Sequence, residues 1–203
     1  MAATRHDDAL SGARIGPNAV IQTAAALHAA LGDRECRTIF DDAALAHYLA
    51  SPPQAMVDER EVARLHRRIR ARYPATTAGQ ILHESGRLTG EYVLAHRIPA
   101  PVRRLLGWLP APVAAAALLG AIRRHAWTFI GSGEFRTVHG SPIVLEIRGN
   151  PLVAGETAAG PLCEWHAAVF ETLFRRLVAG GCAVRETHCM AAGDDFCRFV
   201  VEC

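Results

Sequence analysis

Apolar and polar positions recur along this chain with two different periods, and the change between them divides it. Up to about residue 125 the apolar residues return every three or four positions, the spacing that gathers them on one side of a helix. From about Thr128 the period falls to two, as in strands. The spacing predicts a helix over Ala19–Leu31 stopped by Gly32, then a short helix over Asp41–Leu49 capped by Asp41 or Asp42. Ser51-Pro52-Pro53 is a break. Asp58–Tyr73 reads as an amphipathic helix with Val62, Leu65 and Ile69 as its stripe and Arg64, Arg67, Arg68, Arg70 and Arg72 around it. That basic face reads as solvated, with an anionic partner as the alternative. Thr76–Ala95 is a further helix, broken by Pro99 and Pro101. Pro110 and Pro112 close the next short helix, and Pro112 starts a last one through His125.

In the second part Phe129–Val138 reads as a strand, His139-Gly140 as a tight turn and Pro142–Arg148 as the returning strand. Glu156–Ala179 contains a helix with Trp165, Val169, Leu173 and Leu177 on its apolar side, stopped by Gly180-Gly181. Ala183–Met190 and Phe196–Val201 are two more strands. The order β-β-α-β-β predicts an α+β fold, an antiparallel sheet covered by helices. The whole chain reads as a single domain, with residues 1–125 a helical part and residues 126–203 the sheet-bearing core.

Composition narrows the chemistry. The net charge of +2 is close to balanced, and no basic-plus-aromatic pattern of a base-stacking module is present, which argues against a nucleic-acid partner. All 22 basic residues are Arg, so no lysine can form a Schiff base or act as a catalytic ammonium. The first residues are polar and lack an apolar signal core, which predicts a cytoplasmic location. In such a reducing compartment six Cys point to metal binding or catalysis before disulfides. Leu105–Ile122 is uncharged, but Pro110 and Pro112 interrupt it. It reads as a buried or interfacial helix rather than a span, and leaves room for peripheral contact with a membrane.

Cys163, Glu186, Cys189 and Cys197 stand out. Zinc takes four thiolate, imidazole or carboxylate ligands in a tetrahedron, and Glu186-x-x-Cys189 resembles a zinc knuckle with a carboxylate in place of one thiolate. Cys197 falls on the partner strand and Cys163 at the start of the helix that should cover the sheet, so one Zn2+ would tie helix to hairpin in a structural role. On a regular strand, residues three apart point to opposite faces, so Glu186 and Cys189 can share an ion only if the strand bulges or turns near Cys189. Three thiolates and a carboxylate would leave a charge of about −2 around the ion, which Arg185 and Arg198 are placed in sequence to offset. A Cys189–Cys197 disulfide and buried unreacted thiols are the competing readings. Cys36, Cys182 and Cys203 read as ordinary residues.

Cys163, Glu186-x-x-Cys189 and Gly193-x-x-x-Cys197-x-Phe199 resemble the signature of the 4-vinyl reductase (4VR) domain family over roughly the last 80 residues. The resemblance implies a zinc-bearing fold similar to a Golgi-trafficking subunit and to haem nitric-oxide-binding-like domains. Arg97-Ile98-Pro99, Leu109-Pro110 and His125-Ala-Trp-Thr-Phe-Ile-Gly-Ser-Gly133 extend it over most of the chain, toward the stand-alone bacteriochlorophyll-biosynthesis branch of the family in purple phototrophs. That branch implies either reduction of a vinyl group on a chlorophyll precursor or delivery of magnesium porphyrins to bacteriochlorophyll-pathway enzymes. A ligand-responsive regulatory module is a third reading, and a homodimer is left open.

The residues favour a carrier. Gly131-Ser132-Gly133 is not followed by a helix, so it is no dinucleotide loop, and no phosphate-binding loop is present. A tetrapyrrole needs apolar walls, cations for its propionates and an axial ligand for its magnesium. Trp108, Trp127 and Phe129 are candidate walls, and Arg103, Arg104, Arg123 and Arg124 candidate rim cations. His125 is the candidate axial ligand, ahead of His83 and His96. Trp127 and Phe129 as core residues, the arginines as solvated charges and His166 as a local cap are the structural alternatives.

Overall fold

A computed structural model describes residues 13–138 and 142–203. It is a mixed α and β fold. Four antiparallel strands, β3 (Glu134–Val138), β4 (Ile143–Arg148), β5 (Ala183–His188) and β6 (Cys197–Glu202), lie in the order β3-β4-β6-β5. Among the described residues eight helices precede or cover them: α1 (Asn18–Asp42), α2 (His47–Ala50), α3 (Glu59–Arg72), α4 (Ala75–His96), α5 (Ala100–Trp108), α6 (Ala111–His125), α7 (Trp127–Ile130) and α8 (Glu164–Leu177). A two-stranded ribbon, β1 (Arg14–Ile15) with β2 (Val57–Asp58), closes the other end. The expected turn at His139-Gly140 lies outside the described residues.

Helix α8 explains the layering. It is buried on almost every side, with Trp165, Val169, Phe170, Leu173, Phe174 and Leu177 all enclosed. A helix apolar all round needs cover on both faces. The sheet supplies one cover, where Phe170 meets Phe199 edge to face at 5.3 Å. Helix α4 supplies the other, and α1 packs on the far side of α4. Two glycines set the closeness of the α4–α8 crossing. A Cβ on Gly86 would press into the Trp165 carbonyl oxygen and lie 2.9 Å from Ala168 Cβ. One on Gly90 would lie 2.7 Å from Thr172 Cβ.

Several expected boundaries shift for identifiable reasons. Gly32 takes a left-handed φ of 82°, but it kinks α1 rather than ending it, and helix continues to Asp42. Asp41 and Asp42 therefore end a helix instead of capping the next one. Asp58 does cap α3, its side chain accepting from the Arg60 N–H at 2.8 Å.

The segment expected as a strand from Phe129 is helical in its first part. Its last carbonyls are claimed from outside: Thr128 O accepts from Gly16 N–H at 2.7 Å, and Phe129 O lies 3.1 Å from His166 Nε2. Gly131 then turns at φ 58°, and both the N–H and the hydroxyl of Ser132 donate to Glu59. Only after this turn does β3 begin.

The arginines of α3 are tethers rather than a free basic face. Arg64 donates to Ala43 O and Arg67 to Ala154 O, while Arg72 pairs with Glu35. Arg70 is the most enclosed. Its side chain, 10% exposed, pairs with Glu156 and donates to Leu152 O at 3.0 Å and Leu162 O at 3.3 Å.

Gly86→Ala should gain about 1 kcal/mol of helix propensity and lose about 3 kcal/mol to a clash with backbone that cannot yield. The net result is destabilisation by about 2 kcal/mol in urea denaturation. Gly107 in α5 has open space around its Cα, so Gly107→Ala should stabilise by up to about 1 kcal/mol in the same assay.

Candidate metal centre

The last third of the chain builds a closed donor cluster. Cys163 stands at the N-cap position of α8. Glu186 lies on β5, and the β5–β6 register slips between Glu186 and His188, an extra residue that re-aims the strand. Beyond the slip Cys189 leads into a single 3-10 turn, Met190–Ala192, ended by Gly193 at a left-handed φ of 95°. The Cys189 carbonyl accepts from Ala192 and Asp194 N–H groups, and its own N–H donates to Asp194 Oδ2 at 2.8 Å. This bulge and turn meet the geometric condition for Glu186 and Cys189 to share one centre. Cys197 opens β6 and completes the set.

The four ligand atoms lie within 4.8 Å of one another, and the three cysteines are buried. The sulfur separations are 3.4 Å for Cys163–Cys197 and 4.0 Å for both Cys163–Cys189 and Cys189–Cys197. A tetrahedral ion with metal–sulfur bonds of about 2.3 Å sets sulfurs about 3.8 Å apart. Glu186 Oε2 accepts from the Cys163 N–H at 2.7 Å, while its Oε1 is buried without a partner. A carboxylate held by one oxygen and open at the other is the form in which it binds a metal. The donor set fits a tetrahedral divalent ion.

Electrostatics point the same way. Burial pushes the Cys163 thiol well above its ordinary range. Burial, and then the Cys189 sulfur, push Glu186 up to about 8. Cys197 is pulled down to about 4, first by hydrogen bonds from the Cys163 and Cys189 sulfurs. The protein thus concentrates acidic groups where only one is readily ionised, and a bound cation would favour the charged form of all four.

Asn150 supplies further donors that the sequence reading did not single out. It is fully buried between β4 and the following 3-10 turn. Its Nδ2 lies 3.3 Å from Cys163 Sγ and 3.5 Å from Cys197 Sγ, and its Oδ1 accepts from Leu152 N–H. Asn150-Pro151 ended a strand in the sequence, a signal for a turn but not for a sulfur partner. Arg185 and Arg198 are engaged elsewhere: Arg185 with Glu202 at 3.7 Å, and Arg198 with Glu146 at 2.6 Å. Charge compensation therefore comes from amide N–H groups rather than from guanidinium groups.

Cys189 and Cys197 are free thiols. The bonded pair is Cys182–Cys203, two residues expected to be ordinary. Register explains it: Ala183 pairs with Glu202, so the residues just outside that pair face each other at the sheet edge.

The candidate ligand residues are more dispersed. Trp108 is 90% exposed on α5 and Trp127 is 59% exposed on α7. Arg123, Arg124 and His125 form the exposed end of α6. Phe129 turns inward and meets Phe135, His166 and Phe170 at centroid distances of 6.0, 6.4 and 5.7 Å. Arg103 donates to Leu94 O, which pins α5 to the end of α4. His125, Trp127, Arg123 and Arg124 thus share one end of a helix, whereas Phe129 is core and Trp108 lies on a different helix. A cleft of about 330 Å³ lies elsewhere, between α3, the start of α4 and the loop before Cys163, with Arg67, Arg70, Gly79, Glu156 and Glu164 on its walls.

The comparisons with known proteins agree with this architecture. The vinyl-4-reductase (4VR) domain matches residues 143–203, which hold β4, α8, β5, β6 and all four donors. The chain is 46% identical to the bacteriochlorophyll synthase 23 kDa chain of Cereibacter sphaeroides over 201 residues, 97% of this chain and 96% of that one. It is 39% identical to the chain of the same name from Rhodobacter capsulatus over 189 residues, 93% of this chain and 86% of that one. Among solved structures, an H-NOX protein from S. oneidensis in the Fe(II)NO ligation state superposes with a TM-score of 0.52 at 11% identity, covering 93% of this chain and 98% of that one. That likeness is one of fold.

Burial holds the His166 imidazole down at about 4 against an ordinary 6.5. Above 6.5 it is neutral in folded and unfolded chains alike. As pH falls from there toward 4 only the unfolded chain takes up the proton, so stability is lost. Between pH 7 and pH 5 the loss should be about 2 kcal/mol. Urea titrations at both values should show His166→Leu losing about 2 kcal/mol less than the parent on acidification.

Proposed function

Because the chain belongs to the family of the bacteriochlorophyll synthase 23 kDa chains, we propose that it binds magnesium-porphyrin intermediates of bacteriochlorophyll synthesis and delivers them to the enzymes of that pathway. The observation that carries this reading is the extent of the relationship. Identity at 46% runs through the helical part as well as the 4VR region, so the surface that distinguishes this branch is shared along with the donor cluster.

Zn2+ held by Cys163, Glu186, Cys189 and Cys197 has a structural role here. Four protein donors complete a tetrahedron and leave no position for substrate. The ion fastens α8 to the β5–β6 hairpin and thereby fixes the scaffold on which α6 and α7 rest.

The pigment meets the exposed end of α6. His125 offers an imidazole to the magnesium, Trp127 an indole face to the macrocycle, and Arg123 and Arg124 guanidinium groups to the propionates. Among the described residues neither arginine takes part in an ion pair.

Titration of purified protein with magnesium protoporphyrin, with and without NADPH, tests the carrier reading. A saturable spectral shift with unchanged pigment is expected, and His125→Ala should alter the bound spectrum and weaken affinity about tenfold or more. NADPH-dependent loss of a vinyl group would make the protein a reductase instead. Metal analysis should find one zinc per chain by the ligand count above. Cys189→Ser should release the zinc and cost at least about 3 kcal/mol of stability.

A further inference from the structure

From Tyr92 to Gly133 the chain contains no acidic residue and five arginines: Arg97, Arg103, Arg104, Arg123 and Arg124. The net charge of the whole chain is only +2, so this stretch is basic against an acidic remainder. Elsewhere arginines are widely paired with carboxylates, as at Arg60, Arg70, Arg72, Arg87, Arg176 and Arg198. Among the described residues none of these five is.

Helix α5 carries an outward apolar row in the same stretch. Val102, Leu105 and Trp108 recur at intervals of three on its exposed side, with Leu105 61% exposed. Only Leu106 of this helix is buried, and Val113 continues the apolar surface at the start of α6. Large apolar side chains held in water across from a single inward anchor have no use in the fold itself. The row is also held rigidly, since Arg103 ties α5 to the Leu94 carbonyl.

We propose that α5 is a docking surface for an anionic lipid bilayer, with Leu105 and Trp108 entering the headgroup boundary and Arg97 and Arg104 contacting lipid phosphates. The chemistry is complementary on both counts. Indole and leucyl side chains partition into the interface, and each nearby arginine contributes about fivefold to affinity for an anionic surface. A second copy of the chain fits less well, because a two-fold pairing through this face would set unpaired arginines against their own counterparts. Among the described residues no helix is long and apolar enough to cross a membrane, so contact would be made from the surface. The proposal uses none of the pigment contacts assigned above.

Co-sedimentation of the full chain with pigment-free vesicles tests it, comparing phosphatidylcholine alone with phosphatidylcholine mixed with phosphatidylglycerol. Binding to the mixed vesicles is expected, with a blue shift of Trp108 emission and weakening by added salt. Leu105→Ser with Trp108→Ser should lower partitioning tenfold or more, and Arg97→Gln with Arg104→Gln by a smaller factor. Because these residues are exposed, the variants should keep the parent's circular dichroism and melting temperature. Absence of binding to the mixed vesicles, or binding unaffected by the Leu105/Trp108 pair, would overturn the proposal. So would sedimentation showing that Trp108→Ser only converts a dimer to a monomer. Failure of magnesium-protoporphyrin binding would bear on the carrier reading alone.

Discussion

Three sulfurs and a carboxylate gathered within 4.8 Å in the interior cannot all carry their charge without something positive among them. Like charges at that range repel by several kcal/mol at the effective dielectric of a protein interior. The local structure is nevertheless arranged to bring them together. A register slip re-aims β5, a left-handed glycine closes the turn after Cys189, and the N-cap of α8 is a cysteine rather than a serine or aspartate. Asn150 adds an amide N–H facing two of the sulfurs. Each device costs some regularity, and together they make sense only as the shell of a cation. The position of α8 against the sheet depends on that shell, and α4, α1 and the short helices are laid down on α8 in turn.

The fold was largely legible because its signals are periodic. The stripe at Val62, Leu65 and Ile69 marked α3, and the alternation in Ile143–Arg148 marked β4. Both are local, and both survive in the structure. The four donors were legible for a different reason: thiol and carboxylate side chains are rare at such spacings, and a resemblance joined Cys163 to a hairpin many residues away.

What escaped the sequence was decided by partners at a distance. Nothing near Phe129 says that Gly16 and His166 will meet the carbonyls of Thr128 and Phe129, yet those bonds accompany a helical turn where a strand was expected. The arginines of α3 looked like a solvated face, but Arg64, Arg67, Arg70 and Arg72 each find a carbonyl or carboxylate tens of residues away. Asn150 is a common turn residue, and only the folded chain shows two sulfurs beside its amide. Cys182 and Cys203 face one another only once the β5–β6 register is known.

Helix α8, enclosed between α4 and the sheet, also fixes the order in which the protein can become whole. A ribosome delivers α1 to α7 first, and with them the bare face of Gly86 and Gly90 that only α8 can fill. The element that completes the interior, and all the donors that anchor it, lie from Cys163 onward. Arg70 waits for carbonyls and a carboxylate 82 to 92 residues further along the chain. Such distant pairings close long loops before they return any stability. The helical part therefore has no independent resting state of its own: its assembly is gated by the arrival of the C-terminal segment, and the protein folds as one late, cooperative event rather than domain by domain.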